Sequence, residues 1–463
     1  MNTRRLRVLL ALHGFRPEMR GGTEATVEAL ALGLVDESVE VVVLAGSDGG
    51  ERATLVREPD SRPGLRLYRY HRGDLHYGHW NKAGSPAAGR AFEEVLRRER
   101  PDVVHVHHWS RLTRDLVQRA ARLGVPAVVT LHDLSVSCLV HFRVRPDDLS
   151  FCERPLAPDP CLACAAQVFP ATPWLTPGEE RHRLDRLRDD SREELRLARV
   201  VIALCSDQAR LLETVLGLEV PIRVVSPASD ERIEPAEPPA HDPGEERPLA
   251  LGCWATLHRL KGTDLLVEAV RQLVHAEVPV TLELAGAEGE RAWVDGLRAS
   301  AAGLPVRFHG PFDRLAQHPV TRVHAFVAGT HARETWGVVL DEALRLRLPM
   351  VLPRFGAYAE RFQEERGVLF YERGNARALA AVLGRLQREP GLVRRLRGSL
   401  PPSGVLPTRS ENLRRNLEAY EAAIRLGAPP APPLDPAREA AEEAYLARWD
   451  AAYSCGASNA PRS

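Results

Sequence analysis

Short, almost continuous runs of valine, isoleucine and leucine alternate with helix-length amphipathic segments along the first half of this 463-residue chain. Strands of this composition are buried on both faces, which is typical of a parallel sheet with helices on either side. The more polar stretch from Leu65 to Tyr70 is predicted to be an edge strand. The predicted buried strands are LRVLLAL from Leu6, VEVVVLAG from Val39, DVVHVHH from Asp102, AVVTLHD from Ala127, VVIALC from Val200 and IRVVSP from Ile222.

The pattern restarts after a proline-rich, acidic stretch. Residues 227–248 read PASDERIEPAEPPAHDPGEERP, which cannot pack a core and is predicted to link two domains. A chain of this length also exceeds the size at which single cores stop growing, so two doubly wound α/β domains are expected. The predicted divisions are an N-terminal domain over 1–230, a linker over 231–247, a C-terminal domain over 248–408, and C-terminal helices and a tail over 409–463.

Composition excludes several classes of protein. The formal net charge is zero, which argues against a broadly cationic nucleic-acid or membrane binder. The first apolar run is too short for a signal peptide, and no stretch approaches the roughly 18 apolar residues of a membrane span. We therefore expect a cytoplasmic protein with reduced cysteines, no nucleic-acid partner and at most peripheral membrane contact.

The first strand is followed by the loop HGFRPEMRGGTEATVEAL. Gly21 and Gly22 precede a helix that Thr23 is predicted to cap and Glu24 to open, so backbone N–H groups at its start could bind an anion. Two adjacent glycines also make an ordinary turn, and this loop alone does not assign a function.

The chain contains only two lysines, Lys82 and Lys261, among 62 basic residues. Lys261 lies in LGCWATLHRLKGTDLLVEAV, between a predicted strand and a helix beginning near Gly262, with Arg259 two residues before it. Two cations beside a positive helix end suit a diphosphate. The alternative is a surface turn with ordinary basic residues.

Two glutamates bracket the start of a predicted helix in HARETWGVVLDEALRLRLPM. Glu334 precedes the apolar residues that recur at helical spacing, and Glu342 lies more than one turn inside. On spacing alone, both glutamates could simply be solvated.

The order and spacing of these motifs along the chain are informative. They are the glycine-rich first loop, LHD at 131–133, the KG turn, and RETWGVVLDEA followed by PRFGAYAE. Together they resemble the retaining, metal-independent glycosyltransferases of family 4, over about residues 5–425. The resemblance implies a GT-B fold, in which two Rossmann-like domains face each other across a cleft and C-terminal helices cross back. It also implies a nucleotide-diphosphate sugar as donor substrate and no catalytic cofactor.

The resemblance assigns roles to individual residues. Glu342 would accept hydrogen bonds from the donor ribose, and Lys261 would neutralise the leaving diphosphate. Glu334 would hold the donor sugar and stabilise a developing oxocarbenium ion, and His132 would lie beside that sugar. The implied catalytic residues are His132, Glu334 and Lys261, and the implied donor-binding residues are Gly21, Gly22, Arg259, Lys261, Thr335, Trp336, Gly337, Val338 and Glu342.

Some assignments have open alternatives. His132 could be a hydrogen-bonded histidine at a strand end, and His107 or His108 could line the acceptor side or be such histidines themselves. Many family members carry an arginine five residues before the lysine, where this chain has Thr256. Arg259 would then have to supply the missing charge.

Four of the seven cysteines fall within 27 residues, in an insertion predicted over about 134–178. In a cytoplasmic protein such clustering suggests a structural zinc site, and unligated thiols are the alternative. The four are Cys138, Cys152, Cys161 and Cys164. Cys205 and Cys253 are predicted to be small buried residues in strands.

The run RHRLDRLRDDSREELRLARV from Arg181 is predicted to be a helix whose mixed charges face solvent. The tail beyond Pro429 lacks an obvious basic amphipathic face, and could pack across the domains or lie on a membrane surface.

The sequence favours a metal-independent glycosyltransferase that transfers a hexose with retention to an acceptor hydroxyl. The acceptor could be a polysaccharide, a lipid-linked glycan or a small molecule. A nucleotide-sugar 2-epimerase of the same fold and a catalytically silent GT-B protein that binds a glycan or a partner are the alternatives. A nicotinamide dehydrogenase fits less well, because no GxGxxG follows a predicted strand.

Overall fold

The computed structural model divides into two units. Unit 1 holds the chain up to residue 147, residues 153–228 and the chain from 409 onward, and unit 2 holds residues 148–152 and 229–408. The structure describes residues 5–454 except 48, 50–52, 60–61, 75, 77, 219–220, 238, 240, 245–246, 313–314 and 316–317.

Unit 1 is built on one sheet whose strand order is β3-β4-β2-β1-β5-β6-β7-β8. All its pairings are parallel except that of β3 with β4. The central strands are almost fully buried because helices cover both faces. The strands are β1 (Arg7–Leu12), β2 (Glu40–Ser47), β3 (Thr54–Arg57), β4 (Leu65–His71), β5 (Val103–Val106), β6 (Ala127–Leu131), β7 (Val200–Ala203) and β8 (Ile222–Val224).

The predicted edge strand at 65–70 is not at the edge. It forms β4, which pairs with β2 on one side and with β3 on the other. The short strand β3 reads TLVR and is largely exposed. Its antiparallel pairing gives the sheet an edge that the sequence pattern did not reveal, because four residues, two of them apolar and two polar, are too few to carry a periodic signal.

The helices of unit 1 before the linker are α1 (Gly22–Asp36), α2 (Pro86–Glu99), α3 (Leu116–Arg122), α4 (Pro158–Ala165), α5 (Pro177–Leu197) and α6 (Ser206–Leu216). Helix α1 has Gly21 as its N-cap, without a side-chain cap, so Thr23 does not have the predicted capping role.

Unit 2 is built on a parallel sheet in the order β11-β10-β9-β12-β13-β14. Its strands are β9 (Leu249–Trp254), β10 (Val280–Ala285), β11 (Val306–Phe308), β12 (Ala325–Val327), β13 (Met350–Pro353) and β14 (Val368–Tyr371). Its helices are α7 (Thr263–His275), α8 (Arg291–Ser300), α9 (Val338–Arg345), α10 (Gly356–Arg361), α11 (Ala376–Arg388) and α12 (Leu392–Ser399).

The chain then returns to unit 1 with α13 (Arg409–Leu426) and α14 (Pro436–Ser454). Helix α13 completes the core of unit 1, because Ala419, Tyr420 and Ala423 are fully buried in it. The Tyr420 hydroxyl lies 2.8 Å from Nδ1 of His105 on β5. The crossing-back of the C-terminal helices that the resemblance implied is therefore present.

The strand orders place a topological switch point in each sheet. In unit 1, β1 lies between β2 and β5, and in unit 2, β9 lies between β10 and β12. In doubly wound sheets, ligands bind in the crevice outside the carboxyl ends of the strands at such a point. The loops after β9 and β12 of unit 2 carry Lys261 and Glu334, and those after β1 and β5 of unit 1 carry Gly21 and His107.

Within the described part of the chain, no helix combines the length and apolar character needed to cross a membrane.

Candidate functional site

Two glycines bring the loops after β9 and β12 into contact in unit 2. Gly262 has a φ of 61°, and a Cβ there would lie 2.0 Å from the carbonyl oxygen of Gly329. A Cβ on Gly329 would lie 2.1 Å from the Gly262 carbonyl oxygen. Only glycine allows backbones to approach this closely. This approach positions Lys261, the last residue of a 3-10 turn before α7, next to the β12 loop.

Lys261 and Glu334 form an ion pair, with Nζ 2.8 Å from Oε1. The lysine side chain is 37% exposed and the glutamate side chain 15%, so the pair is open to a ligand from one side. The Thr330 hydroxyl donates to the same carboxylate oxygen at 2.9 Å, and the Ala357 N–H donates to the Glu334 carbonyl at 3.1 Å. These bonds fix the Glu334 carboxylate before any ligand arrives.

Glu342 lies on α9, whose N-cap Gly337 has a φ of 78°. The indole N–H of Trp254, at the carboxyl end of β9, donates to Glu342 Oε2 at 2.7 Å. Burial raises the pKa of Glu342 to about 7, and the neighbouring Asp341 adds to this rise while the indole opposes it. The carboxylate thus changes charge near neutral pH, which is common at functional sites.

The Trp336 side chain is directed into the protein. Its indole N–H donates to Asp341 Oδ2 at 2.9 Å, and the Arg361 guanidinium stacks 3.7 Å from its ring centroid. Arg361 also forms an ion pair with the buried Asp341. For Trp336, only the backbone N–H is left to make the predicted donor contact. The first N–H groups of α9, which follows, have no acceptor inside the helix.

Arg259 is exposed on the same 3-10 turn as Lys261. Thr256, at the position where many family members carry an arginine, is also exposed in the loop after β9. Of the predicted donor-site residues, unit 2 holds Arg259, Lys261, the segment from Glu334 to Val338 and Glu342, all in the loops and helix starts after β9 and β12.

Histidines gather at the carboxyl ends of the strands of unit 1. His132 follows β6, and its Nε2 lies 2.9 Å from Nδ1 of His107, which follows β5. Burial lowers the pKa of His132 to about 3 and lowers that of His107 well below its usual value. Both rings therefore stay neutral at physiological pH, and the pair can relay hydrogen bonds without carrying charge.

His13 and Glu24 also belong to this cluster, although the sequence motifs gave His13 no role and placed Glu24 only at the start of a helix. His13 Nε2 lies 2.9 Å from Oε1 of Glu24, which is only 3% exposed although it opens a helix. The His13 ring centroid lies 4.5 Å from that of His108. His13 directly follows a predicted strand, as His132 does. The position of a histidine at a strand end was therefore a signal that could have identified His13 as a candidate site residue.

Gly21 and Gly22 form the start of α1 in unit 1. A Cβ on Gly21 would lie 2.5 Å from Oε2 of Glu24, whereas a Cβ on Gly22 would meet no atom within 4 Å. Open space therefore adjoins the first N–H groups of α1, as an anion site there would need.

The zinc hypothesis is not supported. Among the residues that the structure describes, no group of three or more His, Cys, Asp or Glu side chains is placed to hold a metal ion. Cys152 belongs to unit 2, whereas Cys138, Cys161 and Cys164 belong to unit 1. Burial raises the pKa of the Cys138 thiol to about 11. The six described cysteines form no disulfide.

Cys205 and Cys253 are buried, as predicted. Cys253 lies in β9, but Cys205 is the N-cap of α6 and not a strand residue.

Two family models match most of the chain. Glycosyltransferase Family 4 matches residues 20–232, and Glycosyl transferases group 1 matches residues 248–389. D-inositol 3-phosphate glycosyltransferase 1 of Catenulispora acidiphila is 27% identical over 337 residues, which are 70% of this chain and 73% of that protein.

Solved structures share the fold at low sequence identity. Sucrose-phosphate synthase from Thermosynechococcus elongatus is 17% identical with a TM-score of 0.65, over 91% of this chain and all of that chain. Anabaena Alr3699/HepE in complex with UDP is 14% identical with a TM-score of 0.61, over 90% of this chain and all of that chain. These structural matches and the two parallel sheets show the GT-B fold. The two family models, which together match more than half of the chain, show that it belongs to the family 4 glycosyltransferases.

Proposed function

We propose that this glycosyltransferase moves a hexosyl group from a nucleotide-diphosphate sugar to an acceptor hydroxyl, with retention of anomeric configuration and without a catalytic metal ion. The observation that carries the proposal is the 2.8 Å pair between Lys261 and Glu334 beside the start of α9. A cation, an anion and a helix N-terminus at one switch point suit a substrate with a diphosphate next to a sugar. The complex of Anabaena Alr3699/HepE with UDP supports the same class of donor.

Glu342 is assigned to the ribose of the donor. The Trp254 indole holds Oε2 of this carboxylate, and we assign Oε1 to the ribose hydroxyls. An ionised carboxylate accepts several hydrogen bonds, and a ribose offers two neighbouring hydroxyl donors. Because the indole also fixes the orientation of the carboxylate, the ribose would meet a preformed acceptor.

Lys261 is assigned to the diphosphate, and the backbone N–H groups of residues 335–338 to the donor sugar and phosphate oxygens. Lys261 is the cation that the Glu334 carboxylate already holds in place. Positive charge placed where the leaving group becomes more negative lowers the barrier, and typically contributes several kcal/mol in a water-poor site. Gly21 and Gly22, with Arg259, stay predicted donor contacts.

The reaction breaks the bond between C1 of the sugar and the diphosphate oxygen, and forms a bond from C1 to the acceptor oxygen on the same face. The acceptor proton passes to a phosphate oxygen of the leaving group. Glu334 would stabilise the positive charge that develops on the sugar. His132 is neutral at physiological pH, so its assigned role beside the sugar is as a hydrogen-bond partner.

The proposal is tested in two steps. A thermal-shift screen of the full chain against nucleoside diphosphates and nucleotide sugars should find one donor that raises the melting temperature, since a ligand that binds only the folded state stabilises it. That donor is then incubated with panels of sugar, sugar-phosphate and lipid-linked acceptors, with and without EDTA. NMR of the product should show the same anomeric configuration as the donor, at a rate that EDTA does not change.

Three results would count against the proposal. Inversion at C1 would refute retention, and loss of transfer in EDTA that a divalent ion restores would refute metal independence. Conversion of the donor without any acceptor to the sugar epimeric at C2 would favour the epimerase alternative.

A further inference from the structure

Unit 1 contains a cavity of about 270 Å³ between α3, α5 and the segment at residues 432–442, which ends in the first turns of α14. The 3-10 turn Trp80–Lys82 also lines it, through Trp80 and Asn81. The matched family models cover residues 20–232 and 248–389, so the segment that closes the cavity lies outside both. We call it the arginine cavity, because six arginines line it: Arg114, Arg119, Arg122, Arg183, Arg186 and Arg438.

Polar atoms without partners are concentrated around this cavity. Six of the fifteen buried side-chain polar atoms that lack a hydrogen-bond partner among the described residues belong to side chains lining it. Asn81 and Gln118 are each only 4% exposed. Buried polar groups in native proteins almost always have a partner, either in the protein or in bound water or ligand, so this concentration marks the cavity as a place where such a partner binds. The six atoms are Asn81 Oδ1, Asn81 Nδ2, Arg114 Nε, Gln118 Nε2, Arg122 Nη1 and Arg183 Nε.

Four of the five carboxylates that line the cavity are already engaged with arginines. The fifth, Asp435, accepts a hydrogen bond from the Ala437 N–H at the start of α14. Glu442 Oε1, for example, accepts from Arg183 Nη2 at 2.6 Å. The spare polar capacity is therefore almost entirely that of hydrogen-bond donors, and a ligand must supply the acceptors. The pairs are Glu442 with Arg183, Glu439 and Asp115 with Arg119, and Asp190 with Arg438.

The charge around the cavity is also incompletely balanced, with six arginines against five carboxylates. Burial lowers the pKa of Arg114 and of Arg122, which means that these guanidinium groups are desolvated without full compensation. Arg122 donates through Nε to the Pro432 carbonyl at 2.6 Å, a neutral acceptor that offsets little of its charge. An anion would offset this cost.

The spare groups define the chemistry of that anion. Three of the five spare donor atoms belong to guanidinium groups, on Arg114, Arg122 and Arg183. Their combined positive charge suits a phosphate monoester, which has nearly two negative charges and three terminal oxygens, better than a singly charged carboxylate. Asn81 Oδ1 adds a spare acceptor, which a hydroxyl group can satisfy. A volume of about 270 Å³ limits the ligand to about one sugar ring with its phosphate.

We propose that the arginine cavity is a second ligand site that binds a small phosphorylated sugar or polyol, with the phosphate on Arg114, Arg122 and Arg183 and a hydroxyl on Asn81. None of the described residues that line the arginine cavity is a proposed donor-binding or catalytic residue. Binding of a ligand in the arginine cavity requires no transfer reaction, so this proposal does not depend on the proposed function.

The experiment measures binding to the full chain with glucose 6-phosphate as the probe, by calorimetry and thermal shift. Glucose and inorganic phosphate are the comparison compounds, because each supplies only half of the required groups. Glucose 6-phosphate should bind with a stoichiometry of one and more tightly than either. Failure of all three compounds to bind at millimolar concentration would overturn the proposal.

Variants separate this site from the transfer site. Asn81→Leu removes two unpaired buried atoms, so the ligand-free protein should melt at the same or a higher temperature while the shift with glucose 6-phosphate disappears. Arg122→Gln should weaken binding by at least about tenfold, the usual effect of losing a hydrogen bond from a charged group. Arg90→Gln is the matched control, because this exposed arginine pairs with Glu443 of α14 outside the cavity and binding should not change.

Lys261→Ala should likewise leave this binding unchanged. Binding that is lost in Lys261→Ala but kept in Asn81→Leu and Arg122→Gln would place the probe in the transfer site and refute the second site. A protein that binds glucose 6-phosphate through the arginine cavity but transfers no sugar would refute the proposed function and leave this inference standing.

Discussion

The two lysines of the chain allow one substitution to be compared at two contrasting positions. Lys261 is 37% exposed and pairs with Glu334, whereas Lys82 is fully buried and pairs with Asp74 at 2.6 Å. Partly exposed ion pairs contribute about 0–1 kcal/mol to stability. Lys261→Ala should therefore lower the free energy of unfolding by no more than about 1 kcal/mol.

The effect on transfer should be much larger. Removing one preorganised positive group from a site where charge develops costs about 3–4 kcal/mol, or 10²–10³ in kcat. Lys82→Ala should show the opposite pattern. It removes one partner of a buried pair and should cost about 3 kcal/mol of stability, with kcat of the folded fraction nearly unchanged.

The assay follows release of the nucleoside diphosphate from the donor found in the screen, together with chemical denaturation of each variant. Lys261→Ala with a kcat within about threefold of wild type would refute the assignment of this lysine to the leaving group. A Lys261→Ala protein that loses several kcal/mol of stability would show instead that the pair is structural.

Three further predictions concern the electrostatics and the backbone. Ribose hydroxyls should stabilise the ionised form of Glu342, whose pKa is about 7 without ligand. Donor affinity should therefore fall by up to about tenfold per pH unit below pH 7. For the same reason, donor binding near pH 7 should release protons. Calorimetry in buffers of different ionisation enthalpy measures this proton release. If no protons were released on donor binding at pH 7, the role assigned to Glu342 would be contradicted. Gly262→Ala places a Cβ at positive φ 2.0 Å from the Gly329 carbonyl, so it should destabilise the protein by at least about 1–3 kcal/mol in chemical denaturation and weaken donor binding. Tyr420→Phe leaves His105 Nδ1 without its buried partner at 2.8 Å, and should cost about 1–3 kcal/mol; an unchanged denaturation midpoint would show that this bond stabilises little.

The buried strands were predictable because each is long enough and apolar enough to show its burial on both faces. The segment after β12 was predictable for a different reason. Glu334 and Glu342 are acidic residues beside an apolar run with helical spacing, and in the structure they bracket the start of α9 as predicted. The 2.8 Å contact of Lys261 with Glu334 follows from the two sequence motifs only through the GT-B resemblance, because 73 residues separate them.

Other features escaped the sequence because they depend on partners distant in the chain. The helix from Arg181 was predicted to be solvated, but it is part of α5 and supplies Arg183 to the arginine cavity. Its partner Glu442 comes from α14, some 260 residues later. Lys82 was as rare a residue as Lys261, yet it is fully buried beside Asp74, so rarity by itself did not identify a functional lysine.

The zinc hypothesis also depended on residues that are close in the sequence, and the structure does not support it. Spacing along the chain placed Cys152 with the other cysteines, but in the structure it belongs to unit 2. Closeness along the chain is therefore not sufficient to predict a tetrahedral site.

The central claim is that the crevice at the switch point of unit 2 binds the nucleotide diphosphate of a sugar donor. A crystal structure of the full chain with the donor found in the screen tests it most directly. The account predicts a phosphate oxygen within about 3 Å of Lys261 Nζ and the ribose hydroxyls on Glu342. A donor bound away from both side chains, with the pair of Lys261 and Glu334 unchanged and shielded from it, would contradict the account.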